Sequence, residues 1–496
     1  MGTGTIGVLL GWLFLFLSVA LLIPIAFSIY YDDGNWQFFV ISSAIGFVLG
    51  GGLVWSCVSE PEIGHREGFA IVAFTWLAAA ALGALPYYLS GAIPSYLNAY
   101  FESMSGFTTT GATILERVEV LGPSLLFWRS FTQWLGGMGF IVLSLAILPI
   151  LGIGGMQLFR AEMPGPTKDR ITPRIQDTAR ILWSVYVLFT AVETVLLMLA
   201  GMSFFDAICH AFSTLATGGF STRTNSITAF HNPWIDLIVI VFIIIAGINF
   251  SLHYRLLSGN WKTFGRSEEL RFYLGIGIFA TIFVMLANIL FATYDSWSDS
   301  LRYSTFQVWT ILTGTGFHTA NFDQWAPVCK VTLVTLMFLG GMAGSTTGGI
   351  KQARILLFCK FTRMQIRKLI HPRAVLFVKL DNRKIPAEVI QSILGYLSLY
   401  AVVFVVATLI VTGQGLDMVT GSVAVIATLN NIGPGLAGVG PCENYAHIPD
   451  LSKAVLIMCM LAGRLELYTI IILFVPSYWK DVRYPRWRWS KTDQRR

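Results

Sequence analysis

Ten long apolar segments dominate this chain of 496 residues and set the main limit on its fold. Each is at least twenty residues long, which is enough for a helix to cross the hydrocarbon core of a bilayer. Only 12% of the residues are charged, whereas soluble domains contain about 25%. The sequence therefore predicts an all-α polytopic membrane protein, because lipid cannot satisfy the polar groups of irregular backbone. The segments lie near residues 5–30, 36–58, 69–90, 123–152, 179–201, 233–258, 272–294, 327–359, 387–412 and 450–475.

Basic residues are concentrated in three segments between or after apolar runs, two of which overlap the ends of those runs. Residues 351–384 contain ten Lys or Arg and one acid, residues 477–496 contain seven and two, and residues 152–180 contain five Lys or Arg. Because cytoplasmic loops are enriched in Lys and Arg, we predict that all three segments are cytoplasmic, and ten spans then place both termini there. Tryptophans between the basic residues of the last segment favour a membrane-anchoring face over a nucleic-acid partner.

From residue 69 onward the apolar segments form four pairs, and a polar gap of similar length separates the two members of each pair. The gaps cover residues 91–122, 202–232, 295–326 and 413–449, which makes 32, 31, 32 and 37 residues. A fixed spacing of this kind predicts four copies of one structural unit. The gaps contain the stretches FESMSGFTTTGAT, CHAFSTLATGGFS, STFQVWTILTGTGFHT and VIATLNNIGPGL.

Aligning Gly111, Gly219, Gly316 and Gly433 brings the four stretches into register. The residue four positions earlier is apolar in every copy, and the residue six positions earlier is small. Each preceding stretch is therefore helical, but about twelve to fourteen residues give only roughly 20 Å of helix. Since the hydrocarbon core is about 30 Å thick, we predict re-entrant half-helices that end in Thr/Gly turns. Four surface turns are the alternative, and the shared register disfavours it.

Such half-helices have the chemistry of a cation site. The C-terminus of a helix carries partial negative charge. The extended backbone that follows presents carbonyl oxygens, which can replace the hydration shell of a cation. Glycine permits the unusual backbone angles of the turn, and threonine adds hydroxyl oxygens without a competing charge. Irregular backbone is tolerated at membrane depth where it lines water, so the pattern predicts a pore.

The loop motifs TTTGA, ATGGF, TGTGF and NNIGPG, in four helix–loop–helix units of one chain, resemble those of the Trk/Ktr/HKT superfamily of cation translocation proteins. Two extra N-terminal helices and the basic segment between the third and fourth units are most similar to the TrkH/TrkG/TrkI branch. The resemblance implies a gated potassium uptake channel or transporter subunit of a Trk system, with K⁺ driven through its filter by the membrane potential. The implied filter residues are Thr109, Thr110, Gly111, Thr217, Gly218, Gly219, Gly314, Thr315, Gly316, Asn431, Ile432 and Gly433.

Two features of these loops bear on ion selectivity. In the plant HKT relatives a serine at the first filter glycine accompanies Na⁺ preference, so Gly111 favours K⁺ in this chain. The fourth loop departs from the Thr-Gly pattern at Asn430, Asn431 and Pro434. We therefore expect an asymmetric ring with less strict selectivity than a symmetric tetrameric channel.

The eighth apolar segment contains GGMAGSTTGG at residues 340–349. Its glycines each weaken a helix by about 1 kcal/mol relative to alanine, so we predict two helical pieces joined by an intramembrane loop. Close helix packing through small residues is the alternative. By resemblance the loop lies beneath the filter and acts as a gate, with Ser345, Thr346 and Thr347 bonding its backbone. The implied gate residues are Gly344, Ser345, Thr346, Thr347 and Arg464.

Arg464 lies inside the last apolar segment. An ionisable residue within a membrane span is a functional hypothesis by default, because burying its charge in lipid is expensive. By resemblance it projects into the pore near the gate loop, where it bonds loop carbonyls and opposes the passage of cations. A structural ion pair with Glu466 is the alternative.

Other polar residues near the half-helices have less specific interpretations. Arg129 and Gln133, in the second helix of the first unit, fit residues that satisfy backbone groups or pack helices. Glu102 and Asp206, on two half-helices, either cap a helix or tune the field at the outer mouth.

The chain is expected to divide into eight parts. They are the N-terminal two-helix unit 1–66, pore unit 1 at 67–160, a cytoplasmic linker 161–178, pore unit 2 at 179–260, pore unit 3 at 261–365 with the gate loop 340–349, a basic cytoplasmic linker 366–385, pore unit 4 at 386–476 and a basic cytoplasmic tail 477–496.

The resemblance also implies the setting and the partners of the protein. It implies a multi-pass protein of the bacterial cytoplasmic (inner) membrane and a homodimer with one pore in each chain. A cytoplasmic nucleotide-binding subunit of the TrkA type is expected as the regulatory partner, and nucleotide is expected only on that subunit. K⁺ is the transported ion, and no covalently bound cofactor is expected.

Two other classes of function remain as alternatives. An ion-coupled secondary transporter of another cation or small solute also uses broken helices, but usually in inverted repeats, whereas these four units share one orientation. A membrane-embedded enzyme would need acids, histidines or metal ligands that converge within the spans, and the sequence lacks such a pattern. We therefore expect a transporter and not an enzyme.

Overall fold

The computed structural model describes residues 3–57, 65–147 and 175–480. Its regular structure is almost entirely helical, with one antiparallel hairpin of strands β1 (Lys379–Leu380) and β2 (Arg383–Lys384). The α-helices in chain order are α1 Thr3–Ala20, α2 Ile23–Tyr31, α3 Trp36–Ser56, α4 His65–Leu89, α5 Tyr96–Phe107, α6 Pro123–Ile147, α7 Ile175–Leu199, α8 Phe204–Leu215, α9 Pro233–Ala246, α10 Phe250–Leu257, α11 Trp261–Arg266, α12 Glu268–Leu290, α13 Trp297–Leu312, α14 Pro327–Met337, α15 Gln352–Ile370, α16 Ala387–Thr412, α17 Met418–Leu429, α18 Asp450–Leu465 and α19 Leu467–Ile471.

Four helix–loop–helix units follow an N-terminal pair of spans, the first formed by α1 and α2 and the second by α3, and this confirms the predicted fold class. Each unit has a long first helix, a short helix of twelve to sixteen residues, a loop and a second helix. The units comprise α4–α6, α7–α10, α12–α15 and α16–α19. The expected division into eight parts stays a prediction, since most of the linker 161–178 and of the tail 477–496 lies outside the described residues.

Six helices of the described residues are long and apolar enough to cross a membrane, or seven spans if the bent pair α9–α10 counts as one. Of the other four apolar segments, which the sequence predicts as membrane spans, two have a break that the sequence did not predict. Segment 233–258 bends by 102° between α9 and α10. Segment 450–475 breaks at Glu466, whose φ is +60°. Segment 327–359, expected to be broken, is interrupted between α14 and α15.

Tertiary hydrogen bonds explain the bend between α9 and α10. The carbonyl of Gly247, at the break, accepts the N–H of Met342 at 2.9 Å. The N–H of Phe250, at the start of α10, donates to the carbonyl of Gly344 at 3.1 Å. Backbone groups released by a broken helix need such partners at membrane depth. The glycine-rich segment of unit 3 therefore supports the break in unit 2.

The N-terminal pair is anchored to unit 1 through Asp33, in the loop between α2 and α3. Its carboxylate accepts the N–H and the hydroxyl of Ser124, at the start of α6, at 2.9 and 2.6 Å. Partial burial opposes ionisation, but the hydrogen bonds from Ser124 and Ser28 hold the pKa of Asp33 below its usual value. The anchor therefore depends on an ionised carboxylate.

Two large apolar clusters form the core. One joins the N-terminal pair with units 1 and 4, around side chains such as Trp76 and Phe107. The other joins units 2 and 3, around side chains such as Tyr273 and Phe306. The four short helices contribute side chains to these clusters, and the last six residues of each are buried. The packing thus brings the four glycine turns together in the middle of the protein.

Candidate cation filter and gate

Four short helices, α5, α8, α13 and α17, lead into the aligned turns, and we call them the pore helices. At 1.5 Å per residue, twelve residues of α5, α8 or α17 span about 18 Å, less than a hydrocarbon core of about 30 Å. Asp417 caps α17 by accepting the N–H of Thr420 at 2.9 Å. Ser203 caps α8 by accepting the N–H of Asp206 at 3.1 Å. Each pore helix thus begins at a loop and ends inside the protein.

All four pore helices end in the same C-terminal cap. One residue adopts the left-handed conformation, with φ between 54° and 70°, and its N–H bonds the carbonyl three residues back. The N–H of the next residue bonds the carbonyl five residues back at 2.8 to 2.9 Å. These two bonds define the Schellman motif, which closes a helix and redirects the chain. The cap pairs are Thr109 and Thr110, Thr217 and Gly218, Gly314 and Thr315, and Asn431 and Ile432.

The glycine after each cap pair closes a ring between the units. Its φ lies between 76° and 90°, a region that residues with a Cβ seldom adopt. A Cβ on any of these glycines would lie less than 3.0 Å from a carbonyl oxygen of the next unit. The pairs run once around the molecule: Gly111 with Gly218, Gly219 with Thr315, Gly316 with Ile432, and Gly433 with Thr110. The four loops therefore meet as one closed ring, which we call the filter ring.

A cavity opens on one side of the filter ring and contacts all four of its glycines. Glu116 and Glu443 contribute negative charge to its wall, and Arg223 contributes positive charge. Nearby, the carboxylate of Glu119 accepts the N–H and hydroxyl of Thr224, and these bonds keep its pKa low despite partial burial. We call this cavity the vestibule. The vestibule forms a polar approach to the ring.

The predicted gate loop, residues 340–349, lies on the opposite side of the ring. From here on, the name gate loop covers the whole segment between α14 and α15, residues 338–351. The hydroxyl of Thr346 donates to the carbonyl of Leu215, the last residue of α8, at 2.9 Å. A Cβ on Gly348 would lie 2.8 Å from the Cβ of Asn431, in the cap of α17. The gate loop therefore crosses beneath the C-termini of two pore helices.

Internal bonds fix the shape of the gate loop. Gly344 has a φ of 78°, and the Ser345 hydroxyl donates to the carbonyl of Met342 at 2.6 Å. The Thr347 hydroxyl accepts the N–H of Gly341 at 3.0 Å. The ammonium of Lys351 also donates to Thr347. The predicted gate residues of this segment thus mostly bond the loop to itself.

Glu269, near the start of α12, fastens both ends of the gate loop. One of its carboxylate oxygens accepts the N–H of Ala343 at 2.7 Å and the N–H of Ala353 at 3.1 Å. Gln352 adds a bond from its side-chain amide to the carbonyl of Gly340 at 2.7 Å. Neither Glu269 nor Gln352 could be recognised from the sequence, because nothing in their local sequence shows what they contact.

Arg464 joins three parts of the site through one guanidinium. Nη1 donates to the carbonyl of Thr346 at 2.7 Å and to the hydroxyl of Thr109 at 3.2 Å. Nη2 donates to the carbonyl of Gly136 at 2.6 Å and to that of Gly137. The side chain thus connects unit 4 with the gate loop of unit 3 and with the filter loop and second helix of unit 1.

The structure gives Glu466 a different partner from the one the alternative interpretation requires. Its carboxylate forms an ion pair with Arg354 of α15, and both side chains are nearly buried. The guanidinium of Arg354 also lies 4.2 Å from the ring centroid of Tyr396. This pair ties the break between α18 and α19 to the helix that follows the gate loop.

Arg129 and Gln133 satisfy backbone groups, which is one of the two interpretations that the sequence favoured, and these groups lie beside Gly219. The Gln133 amide donates to the carbonyl of Gly218 at 2.6 Å and accepts the N–H of Phe220 at 3.1 Å. Arg129 donates to the carbonyl of Ser221 at 3.1 Å. Two side chains from unit 1 therefore hold the backbone on both sides of Gly219, in unit 2.

Comparison with known proteins gives a consistent result along nearly the whole chain. The profile of the TrkH family, described as a cation transport protein, matches residues 35–481. The Trk system potassium uptake protein TrkH of Salmonella typhimurium is 42% identical over 477 residues, which cover 95% of this chain and 98% of that protein. The Trk system potassium uptake protein TrkG of Escherichia coli is 36% identical over 475 residues, which cover 95% and 96%. The crystal structure of the potassium transporter TrkH from Vibrio parahaemolyticus superimposes with a TM-score of 0.87 at 38% identity and covers 97% of this chain and 100% of that one.

Proposed function

Since this chain belongs to the TrkH family of cation transport proteins, we propose that it is the K⁺ uptake subunit of a Trk system. The filter ring is the observation that carries this proposal. Four helix C-termini converge on four loops whose backbones lie in contact around one axis. A ring of backbone oxygens can replace the water around a monovalent cation without a charged ligand that would hold it too tightly.

K⁺ is bound, in this proposal, by the residues of the four cap pairs and by the glycines that follow them. The partial negative charge at the pore-helix C-termini favours a cation at the ring. The membrane potential supplies about 2.3 kcal/mol per elementary charge for each 100 mV, so inward transport needs no catalytic step. In this proposal the chain acts as a transporter, and K⁺ at the filter is the transported ion.

The gate loop and Arg464 block the pathway in the conformation described here. Opening requires the loop to leave the C-termini of the pore helices. It then loses the bonds from Thr346 to Leu215 and from Arg464 to Thr346. A fixed positive charge beside the pathway also opposes the passage of cations while the loop is in place.

The side of the gate loop is proposed to face the cytoplasm of a bacterium, across its inner membrane. Helix α15 and the hairpin after it carry most of the 351–384 basic cluster, whereas the vestibule contains Glu116 and Glu443. Both termini then lie on the cytoplasmic side. A nucleotide-binding partner of the TrkA type would dock on this basic face and carry the nucleotide, and two copies of this chain would form a dimer.

Flux into proteoliposomes tests the proposal. Purified protein is reconstituted, a potential negative inside is imposed with an ionophore for a different ion, and uptake of K⁺, Rb⁺ and Na⁺ is compared, with and without a TrkA-type subunit. We expect K⁺ and Rb⁺ uptake to exceed Na⁺ uptake. Absence of selective cation uptake in both conditions would overturn the proposal, and uptake that requires a Na⁺ or H⁺ gradient would instead indicate ion-coupled secondary transport.

A further inference from the structure

One position of the pore helix is polar in three units and apolar in the fourth. It lies nine residues before the filter glycine and is completely buried in all four units. A buried polar side chain normally has a hydrogen-bonding partner, so each polar residue at this position should have a defined target. The four residues are Glu102, His210, Gln307 and Ala424.

In unit 1 this residue forms hydrogen bonds with the extended segment that follows the filter glycine. Glu102 accepts the hydroxyl of Thr113 at 3.0 Å and the N–H of Ile114 at 3.0 Å. Its carboxylate is also paired with Arg129 at 2.8 Å, so the charge is neutralised where it is buried. The extended segment that follows Gly111 is therefore fixed, at Thr113 and Ile114, to the pore helix of its own unit.

In units 2 and 3 the residue at this position also contacts a residue two or three positions after the filter glycine. Nε2 of His210 lies 2.9 Å from the hydroxyl of Ser221, two residues after Gly219. In the amide orientation that satisfies its neighbours, Gln307 accepts the N–H of Thr319 at 2.9 Å, three residues after Gly316. Three different side chains thus form one kind of contact, which we call the filter strut.

Unit 4 cannot form this strut from its pore helix, because Ala424 has no polar side chain. Tyr445 instead lies beside the filter glycine of unit 4, and this tyrosine is only 2% exposed. Its hydroxyl donates to the carbonyl of Gly433 at 2.6 Å. Its own N–H donates to the carbonyl of Thr113 in unit 1 at 2.8 Å, and its ring centroid lies 5.6 Å from that of Phe101.

The length of the fourth gap accounts for this replacement. The gap of unit 4 contains 37 residues, against 31 or 32 in the other units. Its longer return loop passes over the vestibule, where Cys442, Asn444 and Tyr445 all line the cavity. The extra residues thus bring a hydroxyl to the filter glycine of the unit whose pore helix has no polar side chain at the strut position.

We propose that Tyr445 is a positioning residue that sets the ion selectivity of the filter ring, in place of the strut that Ala424 cannot provide. The hydroxyl holds the carbonyl of Gly433, and a Cβ on this glycine would lie 2.7 Å from the carbonyl oxygen of Thr110 across the junction between units 4 and 1. Losing that bond frees the plane to rotate and loosens the spacing of the ring. This inference rests on the proposed function of the ring as a K⁺ filter.

The test compares Tyr445→Phe with a matched control, Tyr100→Phe. Both substitutions remove one hydroxyl and keep the ring, but the Tyr100 hydroxyl donates to Leu77 of α4 at 3.2 Å, outside the filter. The K⁺/Na⁺ uptake ratio is measured in proteoliposomes for the full-length protein. We expect Tyr445→Phe to lower the ratio about three- to tenfold, the range that one hydrogen bond corresponds to, and Tyr100→Phe to leave it unchanged.

Different outcomes separate this inference from the function on which it rests. If the unsubstituted protein shows no selective uptake, the proposed function itself fails. If it is selective and Tyr445→Phe keeps its ratio, or if Tyr100→Phe lowers the ratio equally, the inference fails and the function stands. Thermal unfolding in detergent is a second measurement: K⁺ should raise the Tm above its value in Na⁺ by less in Tyr445→Phe, and an unaltered difference would also overturn the inference.

Discussion

Gly219→Ala is the sharpest test of the filter ring, because the ring leaves no space for one added methyl group. A Cβ at this position would lie 2.0 Å from the carbonyl oxygen of Thr315, whereas real Cβ atoms essentially never approach closer than 3.0 Å. Either the second or the third filter loop must therefore move by at least about 1 Å. The φ of +76° adds strain of about 1–2 kcal/mol for a residue with a Cβ.

The displacement acts on the ring and leaves the pore helices in place. The cap of α8 is closed by backbone bonds of Thr217 and Gly218, which the substitution does not remove. We therefore expect a folded protein whose K⁺/Na⁺ uptake ratio falls at least about tenfold, which corresponds to 1.4 kcal/mol. The assay is uptake by proteoliposomes, with the amount of inserted protein measured in the same vesicles.

Gly91→Ala is the matched control for backbone strain. Gly91 has a φ of +71°, close to that of Gly219, but nothing lies within 4 Å of the position its Cβ would occupy. The control should lose similar stability and keep the uptake ratio. If Gly219→Ala also keeps the ratio, then the contact between Gly219 and Thr315 does not limit selectivity, and the reasoning that assigns the filter to this ring is refuted.

Three further substitutions test the gate and the N-terminal anchor. Arg464→Ala removes the guanidinium from Thr346 and Thr109, and should raise K⁺ uptake without a regulatory partner; unchanged or reduced uptake would contradict its role as a barrier. Thr346→Val removes the hydroxyl that donates to the carbonyl of Leu215 at 2.9 Å and has the carbonyl of Ala246 as a second acceptor at 3.3 Å. Its loss, about 1 kcal/mol, should raise the same uptake about fivefold, whereas equal uptake would exclude this hydroxyl from gating. Asp33→Asn should lower the Tm at pH 7. Since the pKa of Asp33 is lowered in the folded protein, its contribution to stability is present above about pH 4 and is lost as the pH falls further, so the Tm difference should shrink there; a difference independent of pH would contradict the anchor.

The pore helices and their turns could be predicted from sequence because their determinants are local and repeated. Aligning the glycines locates the cap position in all four units, and Gly314 is a residue typical of that conformation. Thr109, Thr217 and Asn431 adopt the same angles, although two of them are β-branched and seldom do so. Only the alignment with Gly314 reveals this, since each loop viewed alone carries no sign of a left-handed residue.

The breaks in the second helices could not be predicted in the same way, because their causes are distant in sequence. Segment 233–258 is apolar from Leu237 to Ile248, across the bend, and the bend at Gly247 is accompanied by a bond from Met342 of another unit. The break at Glu466 is accompanied by an ion pair with Arg354, more than a hundred residues away. The hydrophobic pattern reports that a segment can lie in a membrane, and it contains no information on whether the helix is continuous.

The second helices nevertheless share one feature that organises the gate side of the ring. Each second helix has a proline at its first residue or just before it. A glycine follows fourteen residues after that proline in every unit: Gly137, Gly247, Gly341 and Gly463. A Cβ on Gly463 would meet the carbonyl of Leu429, and one on Gly137 would lie 2.8 Å from Ala216, so these glycines let the second helices approach the pore-helix C-termini. At the next position three units have an apolar residue, and the fourth has Arg464. The repeated glycines therefore build a common frame, and a residue present in only one unit places a charge beneath the filter. Tyr445 breaks the same symmetry on the vestibule side. If the substitutions of Tyr445 and Arg464 act as expected, the repeat specifies the shape of the ring, and single-copy residues specify its selectivity and its gating.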